Sequence, residues 1–299
     1  MIWNVTRNHL LTRLLLGLLF SAGVAGLAYQ RRSLNKSGAA GAIITGTATV
    51  GLGGWSWGLS LVFFFVSSSA FSHYREREKA RVADDKFSKG SQRDIAQAAA
   101  NGGLATLLAA WHGMTTSPTR RSLLQAAYAG ALAAATADTW ATELGVLSSE
   151  PPRSIITGKL VAPGTSGGIT RRGMAAATLG ALALGMIFWA MEGFHRSLAW
   201  LPLIACPAGL AGSVADSLLG ATLQAVRYCP ACQTETERRV HNCGTTTIRL
   251  RGLRWLNNDG VNFAATLTGS LTALVLRLLV NAWKPLSLTY ITRITRRNI

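Results

Sequence analysis

The sequence predicts an all-α fold, a polytopic transmembrane helix bundle of about eight helices with a cytoplasmic Cys/His loop, and three observations lead there. Hydrophobic residues make up 49% of the chain and charged residues only 14%, whereas a soluble domain carries about 25% charged residues. The mean hydropathy is +0.26. The apolar content is gathered into blocks close to the roughly 20 residues that an α-helix needs to cross a bilayer. One integral-membrane domain over 1–299 takes in the whole chain, with 227–257 as a loop insert.

The blocks run over 10–28, 38–53, 55–71, 94–112, 121–144, 173–192, 198–226 and 260–281. Arg7 and Arg13 precede the unbroken apolar stretch that starts at Leu14, in the manner of a signal peptide. No clear small-x-small cleavage site follows, and Arg31 and Arg32 come directly after, so an uncleaved first helix is expected. Only Gly53 and Gly54 separate the second and third blocks, as in a tight helical hairpin or a re-entrant pair. The fifth block is Ala-rich over 126–137, and small side chains let helices approach closely, which places it in the bundle interior.

The net charge of +17 invites a nucleic-acid partner, and its distribution argues against one. With loops assigned alternately to two sides, 30–37, 73–93, 145–172 and 227–257 share a side and hold two-thirds of the 30 Lys and Arg. The positive-inside rule makes that side cytoplasmic and both termini external, although Arg7 and Arg13 pull the other way. A polybasic surface of this kind attracts anionic lipid head groups.

Against this apolar background four carboxylates stand out as candidate catalytic groups: Asp138, Glu143, Asp216 and Asp259. A charge at bilayer depth costs about 2.5 to 3.5 kcal/mol by insertion scales unless it lines a polar cavity, meets a cation or is neutralised. A single transmembrane Asp often does no more than bond to a neighbouring helix, a contact averaging about 0.6 kcal/mol. Four acids on one side, accompanied by Ser, Thr and Asn, favour a polar site instead. Helical spacing puts Asp216, Gly220 and Gln224 on one face with Ser213 and Ser217 beside them, and aligns Asp94, Gln97 and Asn101 likewise. Asp138 and Thr142 share a face, whereas Glu143 lies about 140° round an ideal helix. Either the helix breaks between Trp140 and Gly145, or Glu143 has a second role.

Every other segment with chemical potential falls on the same basic side. PGTSGGITRR reads as an anion-binding loop: Gly164, Gly167 and Gly168 permit a concave run of amides, Thr165 and Ser166 add hydroxyls, and Lys159, Arg171 and Arg172 add charge. The helix expected from Ile169 onward would aim its N-terminus at a phosphate. No Walker ending is present, and an ordinary Gly-rich turn would look the same. KFSKGSQRD contributes Lys86, Lys89 and Arg93, and Asn258 and Asn262 flank Asp259. Acids surrounded by Lys and Arg suit a phosphorylated substrate with a divalent cation.

The most specific spacing lies in the loop insert. Cys229 and Cys232 form a CxxC, and His241 and Cys243 follow as HxC. Three thiols and an imidazole satisfy a closed tetrahedral zinc site, and a cytoplasmic loop argues against a structural disulfide. Unliganded thiols and a redox pair are the other readings of the same spacing. Cys206 lies within an apolar block and reads as packing.

Taken together, SSSAFSHYREREKARVADDKFSKGSQRD, QAAANGG, ADTWATELG, PGTSGGIT, GSVADSLLGATLQ, the CPAC and HNCG pair and WLNNDGVN resemble, in order, an integral-membrane family. It is the family that contains transmembrane protein 19 of animals and the phytyl-phosphate kinase of plants and cyanobacteria. The resemblance runs from about residue 10 to 282. It implies, for the plant and cyanobacterial members, phosphoryl transfer from a nucleoside triphosphate to an isoprenoid (phytyl or prenyl) monophosphate, yielding the diphosphate. On that reading Asp138, Asp216 and Asp259 hold Mg²⁺ with the triphosphate, Asn258 and Asn262 assist, and Lys86, Lys89, Arg93, Lys159 and the GTSGG loop bind phosphates. The partners are then an isoprenoid monophosphate and membrane lipid, not nucleic acid. A transporter or lipid carrier would also use midplane acids and broken helices, and the Ala-Asp-Ser/Thr pair at 137–139 and 215–217 reads as a faint repeat. A lipid-phosphate cytidylyltransferase would use the same metal and phosphate groups.

Overall fold

Each of the eight apolar blocks becomes helical in the computed structural model, which describes residues 2–83 and 92–282. In chain order the helices are α1 (Ile2–Gln30), α2 (Lys36–Ala48), α3 (Trp55–His73), α4 (Glu76–Ala83), α5 (Ile95–Ala98), α6 (Leu104–Met114), α7 (Pro118–Gly145), α8 (Arg171–Met191), α9 (Trp200–Thr222) and α10 (Asn258–Ala282). A π-helical turn, Thr49–Gly53, extends α2, and a second, Ala99–Gly103, joins α5 to α6. Helix starts follow the local chemistry: Asn35 caps α2 by accepting the Gly38 amide at 2.8 Å, Asp94 and Gln97 form a capping box on α5, and Ser117 with Pro118 opens α7. Gly54, at φ +114, makes the sharp turn between the π turn of α2 and α3.

Among the described residues, five helices are long and apolar enough to cross a membrane on length and composition alone: Leu10–Gln30, Trp55–His73, Arg171–Met191, Arg196–Thr222 and Asn258–Ala282. The expectation of eight such spans is therefore too high by that measure. The helical segments 36–53 and 95–114, which take up blocks 38–53 and 94–112, are interrupted by their π turns, and α7 is diluted by Thr, Gln and acidic residues.

The polarity of α7 is tolerated because its surroundings are protein. Every residue over 124–137 is buried, and α3, α6, α8, α9 and α10 pack around the helix. Small residues allow the approach: a Cβ on Gly130 would lie 2.3 Å from the Gly269 carbonyl of α10 and 2.5 Å from Ala273. Toward α3, Tyr128 donates to the Trp57 carbonyl, and its ring packs on Trp57 and Phe188. The outer surface is apolar, with Leu19, Leu107, Leu179, Leu203 and Leu271 all more than half exposed. A soluble monomer does not expose so much apolar surface, whereas a bundle in lipid does.

Two small sheets modify the all-helical expectation. β1 (Arg153–Ser154) pairs antiparallel with β2 (Gly168–Ile169) in the α7–α8 connection. The Cys/His insert is a three-stranded antiparallel sheet in the order β4-β3-β5, formed by β3 (Val226–Cys229), β4 (Thr234–Thr236) and β5 (Ile248–Arg251).

Candidate functional site

The C-terminal ends of α3, α7 and α9 and the N-terminal ends of α5, α8 and α10 surround one cavity of about 580 Å³. Described residues of the four basic segments reach this end of the bundle: Lys79, Arg93, loop 164–168 and Glu237 line the cavity, and Leu34 bridges to Arg93. From α7 come Asp138, Thr142 and Glu143; from α9 come Ser213, Asp216, Ser217, Gly220 and Gln224; from α10 come Asn258 and Asn262. Arg93, Gln97 and Asn101 also line the cavity, the last carried by the π turn. Loop 164–168 and the first turn of α8 close a third side.

Asp216 is the most constrained acid. Its Oδ2 is buried without a protein hydrogen-bond partner, and the charges of Asp138 and Glu237 act on it. A desolvated carboxylate facing like charges is costly unless a cation enters. Carboxylate, hydroxyl and amide oxygens are also the donors that a hard cation such as Mg²⁺ prefers. Asp138 and Asp216 therefore fit such an ion.

Asp259 does not join them. Residues 258 and 262 are one turn apart and share the cavity face of α10, whereas Asp259 lies about 100° round the helix and does not line the cavity. In the first turn, its charge is favoured by the helix dipole. Glu237, just after β4, reaches the cavity instead, where its Oε1 accepts the Gln224 amide at 2.6 Å. Among the described residues, no metal-type cluster of three or more His, Cys, Asp or Glu forms in the cavity.

Glu143 takes the second of the two roles left open for it. The α7 helix runs unbroken to Gly145, and Glu143 forms an ion pair with Lys79 of α4 while accepting the Ser72 hydroxyl at 2.6 Å. Lys79 also donates to the carbonyls of Phe71 (2.7 Å) and Ser72 (2.6 Å). All three of its donor positions are thereby used, which fastens α4 across α3 and α7.

Arg93 is positioned from both its main chain and its side chain. Its main chain is held by bonds to Ser33 and from Asn35, and its guanidinium lies 5.9 Å from the centroids of Phe64 and Phe65. Lys159 is exposed in the turn between β1 and β2 and does not reach the cavity, and Lys86 and Lys89 fall outside the described residues.

The glycine loop is braced by its own hydrogen bonds and by its contact with α9. Gly164 and Gly167 adopt φ +76 and +81, and the amides of Thr165 and Gly168 are spent within the loop on Ala162 and Thr165 carbonyls. A Cβ on Gly167 would lie 2.4 Å from Ala221 and 2.7 Å from the Ser217 carbonyl, so glycine is what lets the loop dock on α9. Gly220 faces the same contact, with the Gly167 nitrogen 3.4 Å from where its Cβ would be. Thr170 caps α8 by accepting the Gly173 amide at 2.9 Å.

The Cys/His insert brings its four side chains together as its spacing suggests. The ligand atoms of Cys229, Cys232, His241 and Cys243 all lie within 4.8 Å of one another and could hold a metal ion. The Cys229 and Cys243 sulfurs are 3.6 Å apart, and His241 Nδ1 lies 3.3 Å from Cys243 Sγ. Each knuckle ends in a left-handed residue, Gln233 at φ +51 and Gly244 at φ +83. The Thr245 hydroxyl and His241 draw the Cys243 thiol down to about 6, whereas hydrogen bonding to Cys243 pushes Cys232 up to about 11.

Glu237, Lys79 and Ser72 were not singled out by the sequence. Lys79 had only the amphipathic pattern of its short helix as a signal, and Glu237 had none, since the fold of the insert decides where it points.

Fold and site define a multi-pass helical membrane protein with a charged cavity at one end of the bundle. The chain belongs to the family described as Integral membrane protein DUF92, which it matches over residues 19–270. It is 33% identical over 277 residues to Protein PGR of Arabidopsis thaliana, covering 86% of this chain and 94% of that one. It is 28% identical over 274 residues to an uncharacterized membrane protein of Methanocaldococcus jannaschii, covering 91% and 98% respectively. No solved structure matches.

Proposed function

We propose that the protein is a membrane phosphotransferase that moves a phosphoryl group from a nucleoside triphosphate to an isoprenoid monophosphate, giving the diphosphate. The observation that carries this reading is the cavity itself. Asp138, Asp216 and Arg93 all line it, where α7 and α9 end. Asp138 and Asp216 would hold Mg²⁺, with Glu237 alongside in place of Asp259. When bound, the ion neutralises phosphate charge and fixes the triphosphate for in-line attack. The other tasks fall to the chain. Arg93 pairs with phosphate oxygens, the hydroxyls and amides of Ser213, Ser217, Asn258 and Asn262 orient them, and loop 164–168 walls off one side. No strong base is needed, because an acceptor phosphate with a second pKa near 6 is already largely an anionic nucleophile at neutral pH.

Leu218 and Phe263, next in sequence to Ser217 and Asn262, are exposed on the outer faces of α9 and α10. They supply the apolar surface on which an isoprenoid tail would lie. We place this end in the cytoplasm, where the triphosphate is. A structural Zn²⁺ at Cys229, Cys232, His241 and Cys243 completes the cofactors. The acids favour an enzyme over a carrier: Asp138 and Asp216 lie about 10 Å inside the ends of α7 and α9, near one surface and not along a path through the bilayer.

The test is incubation of the purified protein with Mg²⁺, labelled ATP or CTP, and phytyl, geranylgeranyl and farnesyl monophosphates. A diphosphate product that Asp216→Asn fails to make is expected. Incorporation of the nucleotide itself would mark a cytidylyltransferase, and no conversion by folded protein would return the carrier reading.

A further inference from the structure

The Cys/His insert is tied to the cavity at both of its ends. At its base, Arg251 Nη1 donates to the last carbonyls of α9, Gly220 at 3.0 Å and Ala221 at 2.7 Å. Backbone bonds from Leu253 to Leu223 and from Ala225 to Leu256 (both 2.8 Å) add to this. Gly252 has φ +86, and a Cβ there would lie 1.9 Å from the Gln224 carbonyl, so the base meets α9 backbone to backbone. At the far end the chain passes from the CxxC knuckle through β4 to the HxC knuckle, and Glu237 lies in the span between them. Its carboxylate then returns to Gln224 and the cavity wall.

Within the span, Thr247 donates from its amide to the Arg239 carbonyl (3.0 Å) and from its hydroxyl to the carbonyls of Arg238 (2.6 Å) and Arg239 (2.9 Å), and the strands themselves are short. β3 pairs with β4 over three residues, and β5 is four residues long. Strands this short bury little apolar surface of their own, and a cross-link would strengthen such a sheet. The four ligand atoms supply one. A tetrahedron with Zn–S bonds of about 2.3 Å has edges of roughly 3.7 Å, close to the 3.6 Å and 3.3 Å separations in the cluster. In a metal module of this size, binding energy becomes folding energy.

We infer that zinc at Cys229, Cys232, His241 and Cys243 is what holds Glu237 on the cavity wall beside Asp216, so that loading the insert with metal completes the acidic face of the cavity. This rests on the zinc reading of the cluster and not on the phosphotransferase reading.

The experiment uses the full chain in lipid nanodiscs. Elemental analysis gives zinc per chain, and hydrogen exchange with mass spectrometry reads peptides from the insert, the end of α9 and α7. The samples are the native protein, protein stripped by a chelator and returned to Mg²⁺, stripped protein given Zn²⁺, and the variants Cys243→Ser, Cys206→Ser and Glu237→Gln. The expected result is one zinc per native chain. Stripping or Cys243→Ser should speed exchange in 226–251 and 223–225 at least roughly tenfold while α7 stays protected, and Zn²⁺ but not Mg²⁺ should restore it. Cys206→Ser and Glu237→Gln should keep both zinc and protection. Native protein without zinc, unchanged protection after stripping, or zinc lost from Glu237→Gln would overturn the inference. None of these readouts depends on catalysis, so an inactive protein in the phosphotransfer assay leaves the inference standing or falling on its own.

Discussion

At the scale of single residues, the candidate acids divide by helical phase. Asp138 and Asp216 face the cavity, Glu143 is engaged by Lys79 and Ser72, and Asp259 lies in the first turn of α10. The corresponding Asn and Gln variants should behave differently. Asp138→Asn is expected to abolish turnover in the diphosphate assay, whereas Asp259→Asn is expected to retain most of it and to lower thermal stability by about 0.3 to 1 kcal/mol through the lost dipole interaction. Equal loss of turnover in the two variants would put Asp259 back among the metal ligands. The cost of burying charge in an apolar chain made Asp138 and Asp216 legible from composition and position alone. Asp259 was grouped with them because it adjoins Asn258 and Asn262 in sequence, and a helix turns adjacent residues about 100° apart. Glu237 was hidden for the opposite reason: it is distant in sequence and reaches Asp216 only through the folded insert.

Among the elements, the long helices were readable because length and apolar content are themselves the physical requirement for crossing a bilayer. Their interruptions were not. A π turn adds one residue to a turn without a composition signature, so Thr49–Gly53 and Ala99–Gly103 are invisible in a hydropathy pattern. The second of them carries Asn101 to the cavity, and the Thr49 and Thr106 hydroxyls bond at 3.2 Å where α2 and α6 meet. The α7–α10 crossing depends on two glycines, and Gly269 has the Gly130 carbonyl 2.5 Å from where its Cβ would lie. Gly269→Leu should therefore force the helices apart and lower stability by about 1 to 3 kcal/mol, read as a reduced midpoint in thermal unfolding in detergent. An unchanged midpoint would mean that the crossing is looser than drawn.

For the molecule as a whole, the arrangement is a bundle turned inside out relative to a soluble one, with Leu-rich outer faces and an Ala-rich centre. The least apolar long helix is the most buried. That combination constrains the order in which the chain can enter a membrane during synthesis. On its own, α7 carries too many polar groups to partition out of the translocation channel, because Gln125 and Thr136 are buried, and Asp138 reaches its cavity, only in the finished bundle. A reporter fused after residue 150 should accordingly show α7 uninserted in a large share of chains, and one fused after residue 282 should not. Full insertion of the short fusion would refute this. The helix at the geometric centre of the protein would then be admitted late, held at the channel until its neighbours emerge, and any lesion that delays α8–α10 would strand it on the wrong side of the bilayer.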